Sequence, residues 1–242
     1  RRNWVHPADV DGRWARARFA VFYALIALWA ALPWISVRGR PAVFLDVPGR
    51  KFFLFGATFS AQDIWMMFFV LTGIGFGLAY LTSLLGRVWC GWACPQTVFL
   101  EGVFRRIERL IEGPRAKRIA RDAGPWTFDK VVRKVLKHLL FVVSSAAVAH
   151  VFVSYFVTMP ALWNMVRAAP SKHLETFTWA ASLTTVFYLN FSLFREQLCL
   201  ALCPYGRLQS LLVDEHTLTV GYDERRGEPR RRAGDKVHRG AA

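Results

Sequence analysis

Hydrophobic and polar positions in this chain are sorted into long blocks rather than mixed. Four runs contain no Asp, Glu, Lys or Arg: residues 19–37, 64–86, 139–166 and 176–194, of 19, 23, 28 and 19 residues. A bilayer-spanning helix needs about 20 apolar residues at about 1.5 Å of rise each. Each run therefore predicts one membrane span, with part of the third outside lipid. The first run follows Arg13, Arg16 and Arg18, as a signal peptide would. It is long for that role and a second span follows, so a retained anchor is expected.

A different periodicity starts after the second run. Phe99, Leu100, Val103, Phe104, Ile107, Leu110 and Ile111 recur at helical spacing, while Glu101, Arg105, Arg106, Glu108, Arg109 and Glu112 fill the other side. This predicts a surface-lying amphipathic helix over about residues 95–112, ended by Gly113-Pro114. Glu101 and Glu108 are expected to pair with neighbouring arginines on its wet face. The fold class that results is all-α: a polytopic membrane protein with four transmembrane helices in two hairpins, plus the amphipathic helix.

Charge supplies the orientation. Residues 1–18, 86–137 and 195–242 hold 26 of the Lys and Arg residues, against 6 in the two remaining loops. The positive-inside rule puts both ends and the central loop in the cytoplasm. The net charge of +15 is then topology and attraction to anionic lipid, and no nucleic acid is required as a partner. At 54% hydrophobic and 15% aromatic the chain is too apolar to be disordered. It opens on Arg1 and closes on an Arg-rich stretch, which suggests a piece of a longer protein. The expected organisation is a cytoplasmic arm (1–18), a membrane domain (19–210) and a basic tail (211–242). Residues 222–242, rich in Arg, Gly and Pro, are expected to build no core.

All four cysteines fall into two pairs of identical spacing. Arg87-Val-Trp-Cys-Gly-Trp-Ala-Cys-Pro-Gln96 follows the second run, and Leu198-Cys-Leu-Ala-Leu-Cys-Pro-Tyr205 follows the fourth. The two CxxxCP motifs are 109 residues apart, and two hairpin units related by an axis along the membrane normal would place them equivalently. Cysteine as a small apolar filler predicts scattered positions, not this pattern. Two spans separate the pairs, so Cys90, Cys94, Cys199 and Cys203 share one side, cytoplasmic by the charge count. Structural disulfides are disfavoured there.

Proline in a helix's first turn puts Cys94 and Cys203 near N-caps. With Arg87, Arg195 and Arg207 nearby, lowered thiol pKa values are expected. Soft thiolates select Cu(I), iron–sulfur clusters or zinc. Structural zinc favours shorter spacing, and the complete cluster run CxxCxxCxxxCP is absent. One pair suits near-linear Cu(I); both together would hold a four-thiolate cluster.

The segments GRVWCGWACPQTVFLEGVFRRIE and REQLCLALCPYGRLQS resemble the membrane half of the cbb-type cytochrome c oxidase accessory proteins, the CcoG, FixG and RdxA group. More distantly the chain is similar to the NapH and NosR membrane ferredoxins. The resemblance covers about residues 4–229. It implies a redox protein of the bacterial cytoplasmic membrane that assists oxidase assembly by reducing Cu(II) to Cu(I), with Cys90, Cys94, Cys199 and Cys203 as the copper-handling thiols. It also implies oxidase subunits or copper-delivery proteins as partners. Electrons would come from two 4Fe-4S clusters in a ferredoxin-like domain beyond this chain, followed by a further span and an immunoglobulin-like domain. The NapH and NosR likeness implies the alternative of a quinol-linked electron conduit.

Other candidates are weaker. His150 lies within the third run, as a helix–helix hydrogen-bonding residue or a quinone or copper contact. Met66, Met67, Met159 and Met165 are thioethers that no spacing groups with another ligand, which points to packing. Trp34, Trp89, Trp92 and Trp163 fall near span ends as an interfacial belt. Gly73 and Gly77 have the spacing of a close helix approach. No phosphate loop, dinucleotide fingerprint or hydrolase triad is present.

Overall fold

A computed structural model describes residues 7, 10–168 and 173–218; the expectation for residues 222–242 lies outside them. The described chain is mostly helical, and three of its helices are long and apolar enough to cross a membrane. The first, α1 (Arg13–Ala31), begins six residues before the uncharged run and ends six before its end. Arginine is a good helix former and its long stem reaches polar surroundings, so Arg13, Arg16 and Arg18 start the helix rather than precede it.

The loop between the first and second runs departs from the all-α expectation. A two-residue ladder joins β1 (Ser36–Val37) to β2 (Arg40–Pro41). An antiparallel meander follows, of β3 (Val43–Asp46), β4 (Lys51–Leu54) and β5 (Ala57–Ser60). Its first turn is closed by Asp46, whose Oδ1 accepts the Gly49 amide at 2.9 Å. Phe44 stacks on Phe53, and the Arg40 guanidinium lies 4.4 Å from the Phe53 ring. These aromatic cross-strand contacts stabilise strands too short to be seen as apolar runs.

The second long helix, α2 (Ile64–Leu85), coincides with its uncharged run. Its apolar surface is exposed almost throughout, from Trp65 and Phe68 to Phe76 and Leu84, as a lipid-facing helix requires. Gly73, Gly75 and Gly77 face open space, so among the described residues no helix uses their close-approach spacing. Past α2 come the short α3 (Val88–Trp92) and then α4 (Pro95–Phe99), a π turn (Leu100–Phe104) and α5 (Arg105–Glu112). The last three form the expected surface helix, with one loosened turn.

That turn is the centre of the core. Leu100 and Phe104 are buried with Phe141 and Phe191. Phe104 stacks on Phe191 at 4.4 Å between ring centroids and meets Phe141 edge-on at 5.1 Å. The stripe read from the sequence is the packed face, except Leu110, which is 82% exposed.

Helix α6 (Arg115–Ala123) leads to the third long helix, α7 (Phe128–Val153), N-capped by the Thr127 side chain. The third uncharged run is thus divided: α7 starts eleven residues before it, and the remainder turns into α8 (Met159–Arg167). The charged first turns of α7 pack against the central loop, and this extends the helix beyond the apolar stretch. His150 accordingly sits near the end of α7 and not at its middle. Helix α9 (Leu174–Leu189) runs against α7 and continues into a second π turn, Asn190–Phe194. A third π turn, Leu198–Leu202, and α10 (Pro204–Leu212) complete the described chain.

Candidate metal centre

Both cysteine motifs are built the same way. The residue closing each long helix turns the chain with positive φ: Gly86 at φ 58°, ψ −120° and, 109 residues on, Arg195 at φ 47°, ψ −117°. A short helical turn then carries Cys90 or Cys199. Extended backbone at Cys94 (φ −60°, ψ 124°) and Cys203 (φ −73°, ψ 112°) makes each the N-cap of the helix that its proline starts. The residue before proline avoids the helical region, so the motif itself dictates this break.

The helix leaving each motif reaches across to the other half. Gln96 on α4 donates to the Arg195 carbonyl at 3.1 Å and exchanges hydrogen bonds with the Asn190 amide. Reciprocally, Gln209 on α10 donates to the Gly86 carbonyl at 3.2 Å, and the Tyr205 hydroxyl meets that of Thr82 at 2.5 Å. These four ties form a crossed clasp between the ends of α2 and α9. The Cys90 thiol donates to Gln209 Oε1 at 3.9 Å. A methyl group on Gly206 would come within 2.8 Å of the Cys199 carbonyl, so α10 can sit this close to the second motif only with glycine there.

All four cysteines are half-buried and none forms a disulfide. Cys90 is pushed up to about 11, by burial first and then by the other three thiols, with Arg87 pulling the other way. Cys199 is raised by burial and by Cys94 and Cys203. At Cys90 and Cys199 this runs against the expectation of lowered thiol pKa values: desolvation outweighs the nearby cation. It also places the sulfurs within electrostatic reach of one another. Among the described residues, no three His, Cys, Asp or Glu side chains already stand at ligating separation. The donor chemistry nonetheless fits a thiolate-bound soft metal such as an iron–sulfur cluster, since four thiols from two equivalent turns share one patch.

Of the three arginines expected beside the thiols, Arg207 donates to the Ala201 carbonyl at 3.1 Å and Arg195 is engaged elsewhere. Buried Arg195 pairs with buried Glu108. Arg118 approaches the same carboxylate at 3.4 Å and Lys137 at 3.8 Å, with Lys137 also 2.8 Å from Glu112. Arg105 bridges Glu101 to Glu196, three residues before Cys199. Glu101 thus pairs with its neighbouring arginine as expected, whereas Glu108 and Glu112, on the face read as wet, form a buried ion network, because their partners arrive from α6, α7 and the end of α9. Sequence reasoning passed over Gln96, Asn190, Tyr205 and Gln209. A glutamine directly after the first CxxxCP motif and an asparagine inside the fourth run were the available signals.

Gln209→Ala removes both the Gly86 tie and the Cys90 contact. The expected outcome is several-fold faster alkylation of Cys90 by N-ethylmaleimide, followed by peptide mass mapping. A buried carbonyl left unpaired costs about 1–3 kcal/mol, so the motif loosens locally.

Far from the thiols, His150 Nδ1 lies 2.7 Å from the Ala146 carbonyl. A cavity of about 210 Å³ is lined by His150, Met165 and His173, with Leu162 and Phe177. The other methionines are not among its lining residues.

The chain matches the family described as 4Fe-4S binding domain over residues 64–114 and that described as 4Fe-4S dicluster domain over 194–240. Each matched segment carries one CxxxCP pair. The nitrogen fixation protein FixG of Rhizobium meliloti is 36% identical over 242 residues, 98% of this chain and 46% of its own length. The proteins RdxA and RdxB of Cereibacter sphaeroides are 35% and 32% identical over 95% of this chain. The chain spans about half the length of these relatives. No solved structure matches it.

Proposed function

Homologous along almost its whole length to FixG, RdxA and RdxB, the chain belongs to their family, and on that premise we propose that it is the membrane part of an iron–sulfur electron-transfer protein that reduces Cu(II) to Cu(I) for assembly of a cbb-type oxidase. The observation that carries this reading is the gathering of Cys90, Cys94, Cys199 and Cys203 at one end of the clasp. Each family match contributes only two thiols, so a four-thiolate set needs both motifs.

In this reading α1, α2, α7 and α9 with its π turn span the cytoplasmic membrane as two hairpins, with the thiols and both ends of this chain on the cytoplasmic side. Oxidase subunits or copper-delivery proteins would receive the Cu(I). A 4Fe-4S cluster would be held by the four thiolates or in a domain beyond this chain, and would supply single electrons. The protein residues do the rest. Where the cluster lies beyond this chain, the thiolates bind the copper substrate and favour its reduced state, because soft sulfur prefers Cu(I); where they hold the cluster, they carry its electron to copper at the edge of the site. Gln209 and Gln96 hold the two motifs in register, and the buried surroundings limit water at the sulfurs.

The test is direct. The chain is loaded anaerobically with iron and sulfide, reduced with dithionite, desalted and mixed with Cu(II). One equivalent of Cu(I) per electron stored should appear with bicinchoninate. An equal yield from a variant lacking all four cysteines sinks the reading.

The second reading, a quinol-linked conduit, is favoured by the cavity at His150, whose Nε2 is left for a ligand while Nδ1 faces a backbone carbonyl. It requires a quinol analogue to reduce the iron-loaded chain, and His150→Phe to stop it.

A further inference from the structure

We propose that the arginine-rich cavity between the first turns of α1 and the surface helix α4–α5 binds the phosphate headgroup of an anionic phospholipid. The cavity measures about 530 Å³. Arg18 of α1, Arg105, Arg106 and Arg109 of α5, and Arg118 of α6 stand on its wall. Glu101 is the carboxylate among the described lining residues.

Four of these five arginines, Arg18, Arg105, Arg106 and Arg118, are only partly satisfied within the protein. Arg105 is engaged by Glu101 and Glu196, and Arg118 by Glu108. Even so, the Nε–H groups of Arg18, Arg105, Arg106 and Arg118 are buried and meet no acceptor. Five guanidiniums against one carboxylate leave the described wall with an excess of positive charge. An anion with several acceptor oxygens offsets it, and phosphate matches the guanidinium fork.

The rest of the wall indicates that the phosphate belongs to a lipid. Val10, Trp14, Phe19 and Trp92 give it an apolar and aromatic side. The Arg106 guanidinium sits 3.7 Å from the Phe19 ring centroid, and Trp14 is 63% exposed. The position is the end of a membrane-spanning helix on the arginine-rich side, the level at which basic pockets take acidic headgroups and tryptophan lies in the interface. A free ion has no use for the aromatic wall, whereas a glycerol backbone and the first acyl carbons do. Trp92 stands between Cys90 and Cys94, so the bound lipid touches the first CxxxCP segment. The inference is independent of the metal chemistry.

Detergent-purified protein is titrated with dioleoylphosphatidylglycerol, dioleoylphosphatidylcholine and, separately, inorganic phosphate, and bound molecules are counted by native mass spectrometry. One phosphatidylglycerol per chain is expected to be retained in preference to phosphatidylcholine. Arg18→Gln with Arg106→Gln should lower its affinity roughly 25-fold, from about fivefold per arginine. Arg38→Gln with Arg40→Gln, in the outward loop, should leave it unchanged. Equal retention of the two lipids, or a folded Arg18/Arg106 double variant with unaltered affinity, overturns the proposal. Inorganic phosphate binding as tightly as phosphatidylglycerol assigns the cavity to the free ion and overturns the lipid. Should the double variant not fold, a photoactivatable phosphatidylglycerol decides with the unaltered protein. It must label peptides within residues 10–19 or 101–109, and labelling confined elsewhere overturns the proposal.

Discussion

Alanine at both Cys90 and Cys199 abolishes Cu(I) binding above the level of a variant lacking all four cysteines, and either replacement alone weakens it more than about a hundredfold. Loss of an outer contact to a metal ligand already costs about 10–100-fold, and here a ligand itself is removed. The clasp is the reason. Cys90 and Cys199 occupy equivalent turns after α2 and α9, and α10 and α4 cross between the two halves. Each thiol therefore lies in the surroundings of the others, as the raised Cys90 and Cys199 values reflect. Competition with bicinchoninate under anaerobic conditions gives affinity and stoichiometry. If each single variant keeps its affinity and loses half the copper, the pairs act separately and the shared centre is wrong. If the four-cysteine variant binds as tightly as the unaltered protein, the copper role itself is wrong.

The cysteine pairing was legible because spacing and side of the membrane are properties of the chain order. A count of four spans would put both motifs at one end whatever the packing, and the structure sets the thiols within electrostatic reach of one another. The apolar run at 64–86 likewise coincides with α2, since Asp63, held by the Ser60 amide, stops the helix at one end and Gly86, at φ 58°, turns the chain at the other. Where charged residues favour helix, as at Arg13–Arg18 and Lys130–Lys137, absence of charge marks the apolar part and not the helix. The meander had its turn signals, Pro48-Gly49 and Phe55-Gly56, flanking strands of four residues. Such strands are shorter than any window that registers membrane spans. The manner in which the thiols meet was hidden for a different reason. Side-by-side packing of the second and fourth spans was the expected route. The ties in fact run through Gln96, Asn190, Tyr205 and Gln209, which pair across 94 to 123 positions. No local pattern encodes such partners.

Glu108 is the residue whose replacement is expected to destabilise the fold most. An amphipathic reading assigns it to the solvent, yet its side chain is 6% exposed and faces Arg195, Arg118 and Lys137. Glu108→Gln leaves those cations buried without their common carboxylate, and breaking such a pair on one side costs about 3–5 kcal/mol. At about 2–4 °C per kcal/mol for a chain of this size, the thermal transition falls by on the order of 10 °C. Arg195 gives the loss a direction. It holds φ 47°, a conformation that costs a non-glycine residue about 1–3 kcal/mol and persists only where its surroundings hold it. The equivalent position ahead of the first motif is Gly86, which bears no such cost. Without Glu108, Arg195 is free to leave this conformation, and the turn carrying Cys199 moves while that carrying Cys90 does not. The expected signature is thus a lowered transition by circular dichroism together with faster maleimide modification of Cys199 and an unchanged rate at Cys90. Combining Glu108→Gln with Arg195→Gly removes the strained residue and one of the cations that faced Glu108, and should recover part of the lost stability. A Glu108→Gln protein that melts with the unaltered one would show that the carboxylate does not hold the network, and equal acceleration at both cysteines would show that Arg195 does not direct the change to the second motif.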